Sequence, residues 1–441
     1  MSTMLFLNGT IYTMDATQPL AQAMAIDNAT GIILAVGSND EVRRYAGIHS
    51  ELVDLRGRTV LPGFIDAHIH LLSTAYRSHY IDAIACANED EVATLVRERA
   101  SQTPPGHWIL GGQWDKNLWP GENFPGKASL DAAAPHHPVA LWSKDGHLLW
   151  VNSLALKRAN ITAETPQPGN GAILQDGSGE PTGILQEHGA TQLVYDVIDE
   201  SNPEMTRTLV QRLLPALQKS GITTIHDIEG MDALGLFQEL RDEGKLGVRV
   251  QMILPRQVLP ELRKKRSPRR RQGSRTDDML SVGGIKIFAD GTLGSQTAAM
   301  LEGFEGNPDN RGILTLSEQA MNETVSAAAA MGLSIAIHAI GDRAAHIALN
   351  AIEQAQQQQQ QQQHVSARGR TSRKASGVRY RLEHVQLITP EDLERMHRLG
   401  VVASVQPFHA VADRDIAERY WGKRHRRAYA YGTMHPPTRS A

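Results

Sequence analysis

An α/β barrel of parallel strands, a TIM-like (β/α)8 architecture with about seven of its strands present, is predicted by three observations. From residue 203 onward, helical patterns alternate with short apolar runs. "PGFIDAHIH", residues 62–70, ends in two histidines one residue apart at the close of a strand-like run. The 441 residues can bury one large α/β core and a satellite.

Each element follows in order. The first 60 residues read as short strands, "LFLNGTIYTM", "AMAID", "GIILAVGS" and "LVDLRGRTVLPGF", with Asn8-Gly9 as a hairpin-type turn. They predict a small β unit over 1–60 that leads into the barrel, 61–431, through "LPGF". "GFIDAHIH" is the first barrel strand. "PEMTRTLVQRLLPALQKSG" has helical spacing, a proline near its start and Gly221 past its end, and precedes the strand "ITTIHDIE". The helix "DALGLFQELRDEGKLG" precedes "VRVQMILP", and "GGIKIFADG" is the next strand. Helices from about Ser317 to Met331 and from Asp342 to Gln354 precede "LSIAIHAIGD" and "YRLEHVQL", and "PEDLERMHRLG" precedes "VVASVQP". Repeated units of this kind imply a parallel sheet covered by helices. A closed eight-stranded barrel needs one strand more.

Residues 71–200 form an insertion rich in Trp, Pro and Gly between the first two barrel strands. Loops after barrel strands lie on the catalytic face, so the insertion either shapes a substrate pocket or packs as an aromatic subdomain. Two segments lack apolar periodicity: the basic run 263–275 and the glutamine tract with its basic sequel, 356–377. Both read as solvated loops or disordered insertions. The basic run has no interleaved aromatics, which argues against a nucleic-acid partner. A net charge of −3 likewise predicts none. Cys86 is the only cysteine, so no internal disulfide framework exists, and a reducing compartment suits the chain. The start carries no basic segment followed by an apolar core, and no stretch of about 18 apolar residues occurs. We therefore expect a soluble, cytoplasmic protein without a membrane partner.

The chemistry sits at strand ends. Side chains at i and i+2 of a strand share a face, so His68 and His70 converge. His338 ends "LSIAIH" and His384 ends "YRLEH", each at the carboxyl end of its own strand, where barrel active sites gather. Neutral imidazoles with one target make a transition-metal site. Lys286 lies in a strand that should be buried, and an unpaired ammonium there is costly. Carbamylated by carbon dioxide, it becomes an anionic oxygen donor able to bridge two cations.

"LPGFIDAHIH", "DGHLLWVNSLAL", "GITTIHD", "IKIFADGTLGSQTAAM", "IAIHAIGDRA", "LEHVQL" and "VASVQPFHAVAD" together resemble the amidohydrolase superfamily, in the amidohydrolase family 3 branch that includes N-substituted formamide deformylase-like enzymes. The resemblance implies a metallo-hydrolase barrel, a β-sandwich built from the chain ends, and one or two divalent ions, commonly zinc. It makes His68, His70, His338 and His384 metal ligands and Lys286 the carboxylated bridge. Lys286, His338 and His384 then serve catalysis, and Trp114, His147 and Asp290 meet a small-molecule substrate. His226 sits inside its strand, where a structural role is as well supported. The implied reaction is attack by metal-activated water on a non-peptide C–N bond of an amide, formamide or amidine.

The resemblance runs to Tyr431, and 432–441 reads as an aberrant tail. The family's last strand carries a general-base aspartate in a "GSDAPV"-like stretch, which "RRAYAYGTMHPPTRSA" lacks, so the chain is expected to be truncated. Asp413 and Asp415 follow the seventh strand, and no spacing marks either as a substitute. A positioned carboxylate contributes about 10²–10⁴-fold to proton transfer, so a catalytically impaired remnant is the alternative reading. Unpaired sheet edges make a homo-oligomer an expectation too.

Overall fold

The computed structural model describes residues 2–121, 123–144, 146, 148–168, 171–198, 203–265, 278–294, 296–366 and 378–434. The chain divides into two compact units, Met1–His70 with Leu214–Ala441, and Leu71–Leu213.

The N-terminal strands are β1 (Thr3–Leu7), β2 (Thr10–Tyr12), β3 (Leu20–Ala21), β4 (Ala23–Asp27), β5 (Ile33–Gly37), β6 (Glu51–Asp54) and β7 (Thr59–Val60). They form a four-stranded sheet in the order β5-β4-β1-β6 and a three-stranded sheet in the order β3-β2-β7. Alternate side chains of β1 and β4 enter a small core of Leu5, Leu7, Ala23, Ala25 and Val42. Asn8-Gly9 does not close a hairpin. β1 pairs with β4 and β6 while β2 pairs with β3 and β7, so the turn hands the chain from one sheet to the other. Asn8 takes φ of 59° there, a left-handed conformation that asparagine tolerates.

β8 (Phe64–Ile69) begins the barrel. In the second unit follow β9 (Ile81–Asp82), β10 (Ile109–Trp114), β11 (Val139–Ser143), β12 (Leu148–Val151), β13 (Ala172–Gln175) and β14 (Pro181–Gln186). They make a mixed sheet in the order β13-β14-β12-β11-β10-β9. Its core packs Trp114, Trp119 and Trp150 against Val92, Leu130 and Leu141.

The first unit resumes with β15 (Ile222–Asp227), β16 (Arg249–Pro255), β17 (Leu280–Phe288), β18 (Ser334–Ala339), β19 (Tyr380–His384) and β20 (Val402–Ser404). These pair in parallel in the order β20-β19-β18-β17-β16-β15-β8, the seven barrel strands the sequence predicts. The sheet curls far enough that Arg381 of β19 donates to the Ala67 carbonyl of β8 at 2.9 Å, so the barrel is near-closed. Capping explains the helix boundaries. Ser317 accepts from the Ala320 amide before the helix Glu318–Ala330, and Thr389 accepts from Asp392 before Pro390–Arg398. Gly221, with φ of 80°, ends the helix Pro203–Lys219 and turns the chain into β15.

The glutamine tract corrects the sequence reading. The helix begun at Asp342 runs through it to Ser366. Glutamine is a good helix former, and the buried face of Ala344, Ala348, Ala351, Ile352 and Ala355 nucleates the helix that the glutamines prolong. Gln356 donates to the Leu399 carbonyl at 2.9 Å and Gln359 to that of Ala329 at 3.3 Å, which anchors the extension. Residues 367–377 lie outside the described residues, as does 266–277 of the basic run, whose first residues end the helix Leu259–Lys265. Tyr431–Met434 form a single helical turn, and 435–441 lie outside the described residues. No helix among the described residues is long and apolar enough to cross a membrane.

Candidate metal centre

The barrel's inner face is polar and buried. Lys286, His338, Arg381, Glu383 and Ser404 are all buried, and parallel register explains why they meet. Lys286 stands opposite Ala336 and that residue opposite Arg381; two residues on, Phe288, His338 and Glu383 are aligned in the next row. Paired positions of adjacent strands share a face.

The imidazoles are each held by one nitrogen. His68 Nδ1 lies 2.6 Å from Glu383 Oε2, His70 Nδ1 lies 2.7 Å from the Ile228 carbonyl, and His384 Nδ1 lies 2.6 Å from Gln406 Oε1. Each partner is an acceptor, so these rings carry their proton on Nδ1 and have an unprotonated Nε2. His338 is turned the other way, with Nε2 donating to the Gly291 carbonyl at 2.9 Å. Ring centroids are 5.5 Å apart for His68 and His70, 5.0 Å for His68 and His384, and 4.7 Å for His338 and His384. Two imidazoles bonded to one ion at about 2.0–2.1 Å, a tetrahedral angle apart, have centroids about 5 Å apart. The donor set thus fits a divalent ion in type, tautomer and pairwise spacing. Among the described residues no three His, Cys, Asp or Glu side chains close on a single point at bonding distance.

Burial sets the charge state. It drives His338 down to about 4 and His384 to about 2, the latter aided by the neighbouring His338 and Lys286, so both are neutral near pH 7 as metal donors must be. Lys286 is lowered to about 8, first by burial, with Glu383 opposing and Arg381 assisting. Its Nζ lies 5.0 Å from the Phe288 ring centroid. Burial alone would raise the Glu383 carboxyl, yet hydrogen bonds from His68 and Arg381 and the arginine charge outweigh it and hold Glu383 at about 2.

His384 reaches this cluster by an irregularity. Glu383 faces inward to His68, and in a regular strand His384 would face outward. His384 and Val385 instead adopt φ of 73° and 43°, left-handed values that a β-branched valine rarely takes. The break at the end of β19 puts consecutive side chains to work on one site, a strain of the kind found at functional positions.

The other expected residues fare differently. Asp290 is 2 % exposed and accepts backbone N–H groups from Ala299, Ile340 and Gly341 at 2.9, 3.1 and 2.8 Å. Its carboxylate is consumed in holding the loop after β17 to the end of β18, and its nearest approach to the cluster is 3.5 Å from His338 Nε2. Trp114 is buried in the core of the second unit and donates to the Leu141 carbonyl at 2.8 Å, and it also borders a cavity shared with Lys116, Phe124 and Lys144. His147 lies outside the described residues. His226 accepts from Arg381 through Nδ1 at 2.9 Å, a structural role. Asp413 accepts from the Tyr429 hydroxyl at 2.9 Å, and Asp415 forms an exposed pair with Arg414.

Arg381, Glu383, Gln406 and His409 were not singled out by sequence reasoning. The alternation in "YRLEH" marks Arg381 and Glu383 as sharing a face, a signal that becomes informative once "LEH" is known to end a barrel strand. His409, whose ring centroid lies 5.5 Å from that of His384, follows the seventh strand in "QPFH" and had no periodic signal.

Comparison with known proteins agrees with this geometry. A family model described as an amidohydrolase family matches residues 51–440. Protein LONG AFTER FAR-RED 3 of Arabidopsis thaliana is 33% identical over 431 residues, 95% of this chain and 70% of that protein. N-substituted formamide deformylase of Arthrobacter pascens is 27% identical over 416 residues, 92% of this chain and 73% of the enzyme. The crystal structure of an uncharacterized metal-dependent hydrolase from Pyrococcus furiosus superimposes with a TM-score of 0.77 at 27% identity, covering 98% of this chain and 83% of that one.

Proposed function

The chain belongs to the amidohydrolase family, and from that premise we propose that it hydrolyses a carbon–nitrogen bond of a small amide, formamide or amidine. His68, His70, His338 and His384 would hold one or two divalent ions, and zinc suits an all-nitrogen donor set of this kind. The observation that carries the reading is the group of four imidazoles at the carboxyl ends of parallel strands, three with Nδ1 engaged by an acceptor of the scaffold, which sets Nε2 as the unprotonated nitrogen.

A bound ion would supply Lewis acidity, polarising the scissile carbonyl and acidifying a water. The chain's own residues supply order. Glu383, the Ile228 carbonyl and Gln406 fix three rings in one tautomer, which spares the site the cost of selecting it at each loading. Burial keeps His338 and His384 unprotonated. Lys286, lowered to about 8 by burial, holds more of the neutral amine that adds carbon dioxide than a surface lysine does. In that addition a new N–C bond forms, one proton is released, and the product is a carbamate anion that would complete the donor set. The likeness to N-substituted formamide deformylase makes N-substituted formamides the first substrates to try.

The test is to strip the full chain with chelator, refill it with zinc, count metal by emission spectroscopy and assay a panel of N-formyl and N-acyl amines. We expect roughly one or two ions per chain and hydrolysis that disappears with them, with His68→Ala losing both. A wild-type protein that takes up no zinc at micromolar concentration sinks the proposal.

A further inference from the structure

We propose that Glu383 and Arg381 are a positioning pair that fixes the tautomer of His68, so that this ring turns an unprotonated Nε2 toward the ion. The inference rests on reading His68 as a metal donor, and it goes beyond that reading in assigning a role to two residues that touch neither ion nor substrate.

Glu383 is fully buried and both of its oxygens are claimed. Oε2 lies 2.6 Å from His68 Nδ1 and Oε1 lies 2.6 Å from Arg381 Nε, while the Ser404 hydroxyl of β20 donates to the same carboxylate. A carboxylate with both oxygens engaged cannot turn away from the ring. The guanidinium is fixed in its own right. Nη1 donates to His226 Nδ1 at 2.9 Å and Nη2 to the Ala67 carbonyl at 2.9 Å. Ala67 immediately precedes His68, so one planar fork holds the histidine's backbone directly and its ring through Glu383. His226 thereby gains its purpose as the acceptor for the third edge of the arginine.

A plain salt bridge that only seals the barrel would show the same distances, so the distinction lies in what an amide does at position 383. Arg381 Nε–H and His68 Nδ1–H both require acceptors, and Glu383→Gln offers one oxygen. With that oxygen facing the arginine, the amide nitrogen faces His68 and donates to Nδ1. The ring must then carry its proton on Nε2, the atom meant for the ion. A pair that only seals the barrel would leave zinc affinity unchanged by that switch.

The experiment is long-range nitrogen–proton correlation NMR on metal-free protein labelled at histidine, followed by zinc titration. We expect His68 as the Nδ1–H tautomer in wild type and the Nε2–H tautomer in Glu383→Gln, with zinc affinity about 10–100-fold weaker. An unchanged tautomer with zinc affinity within about twofold of wild type overturns the inference. If Glu383→Gln does not fold, Arg381→Met/Glu383→Leu removes the buried charges together and leaves His68 Nδ1 without its acceptor. That double variant should bind zinc at least about tenfold more weakly, and wild-type affinity in it also overturns the proposal. Should wild type take no zinc, the metal reading fails and the purpose proposed for the pair falls with it, whereas zinc uptake by wild type with an unchanged tautomer and affinity in the variant overturns the pair's role alone.

Discussion

Two regions of this molecule are built around clusters of ring side chains, and they end in opposite chemical states. In the second unit Trp114, Trp119 and Trp150 stand with centroids 5.9 to 6.4 Å apart, and in the barrel the four histidines stand 4.7 to 5.5 Å apart in neighbouring pairs. An indole has one polar atom. Each here gives it away, to the carbonyls of Leu141, Cys86 and Gly126 at 2.8, 2.9 and 3.0 Å. An imidazole has two, and in His68, His70 and His384 an acceptor of the scaffold fixes Nδ1, which sets Nε2 as the unprotonated nitrogen. Indoles whose N–H is spent inside a sheet's core serve packing, whereas imidazoles of set tautomer gathered at strand ends can serve chemistry.

The largest effect expected from breaking this contrast is on folding alone. Trp114→Ala removes a fully buried indole from the second unit's core and should cost about 3–5 kcal/mol of stability. Zinc uptake by the barrel histidines should stay at the wild-type stoichiometry. Urea denaturation and metal counting on the same preparation check both halves. A variant of unchanged stability that lost hydrolysis would return Trp114 to the substrate contacts the sequence suggested.

The contrast also explains how much could be read without coordinates. Alternation of helix and strand after residue 203 is a local, repeated signal, and it located six of the barrel strands and the strand-end positions of His338 and His384, while "PGFIDAHIH" marked the seventh strand and His68. Asn8-Gly9 misled because turn chemistry reports a local bend and says nothing about which sheet receives the next strand. The glutamine helix misled because polarity was taken as evidence against order, whereas glutamine prolongs a helix already nucleated by a buried alanine face. Tryptophan enrichment in 71–200 cannot distinguish a pocket from a core, since the same rings serve both. Glu383 and Arg381 escaped notice because their function is relational: His68 is 315 residues from Glu383 in sequence.

A smaller effect tests Asp290, the residue expected at the substrate and found holding backbone. Burial pushes its carboxyl up to about 7 against three backbone N–H groups that pull it down. Asp290→Asn keeps one acceptor oxygen and turns an amide NH2 toward at least one of the amides of Ala299, Ile340 and Gly341. Leaving such a buried donor unpaired should cost about 1–3 kcal/mol. We expect the thermal midpoint to fall while KM for any hydrolysed amine stays within about twofold, as for a residue outside the pocket. A raised KM at unchanged stability would put the carboxylate at the substrate.

The smallest effect sharpens the contrast through acid sensitivity. His79 ends the helix Leu71–His79 in the second unit, where burial, with the charges of Arg99 and Arg212, lowers it from 6.5 to about 4. A base whose folded pKa is depressed takes its proton first in the unfolded chain. Between pH 6.5 and about 4 the unfolded state therefore binds more protons, and stability falls as pH falls through that window. The ring is only half-buried, so solvent screening keeps the contribution small. His79→Gln should flatten the dependence of the unfolding midpoint on pH within the window and leave it nearly unchanged at roughly pH 8. If both proteins show one slope, the acid sensitivity belongs to groups elsewhere in the chain.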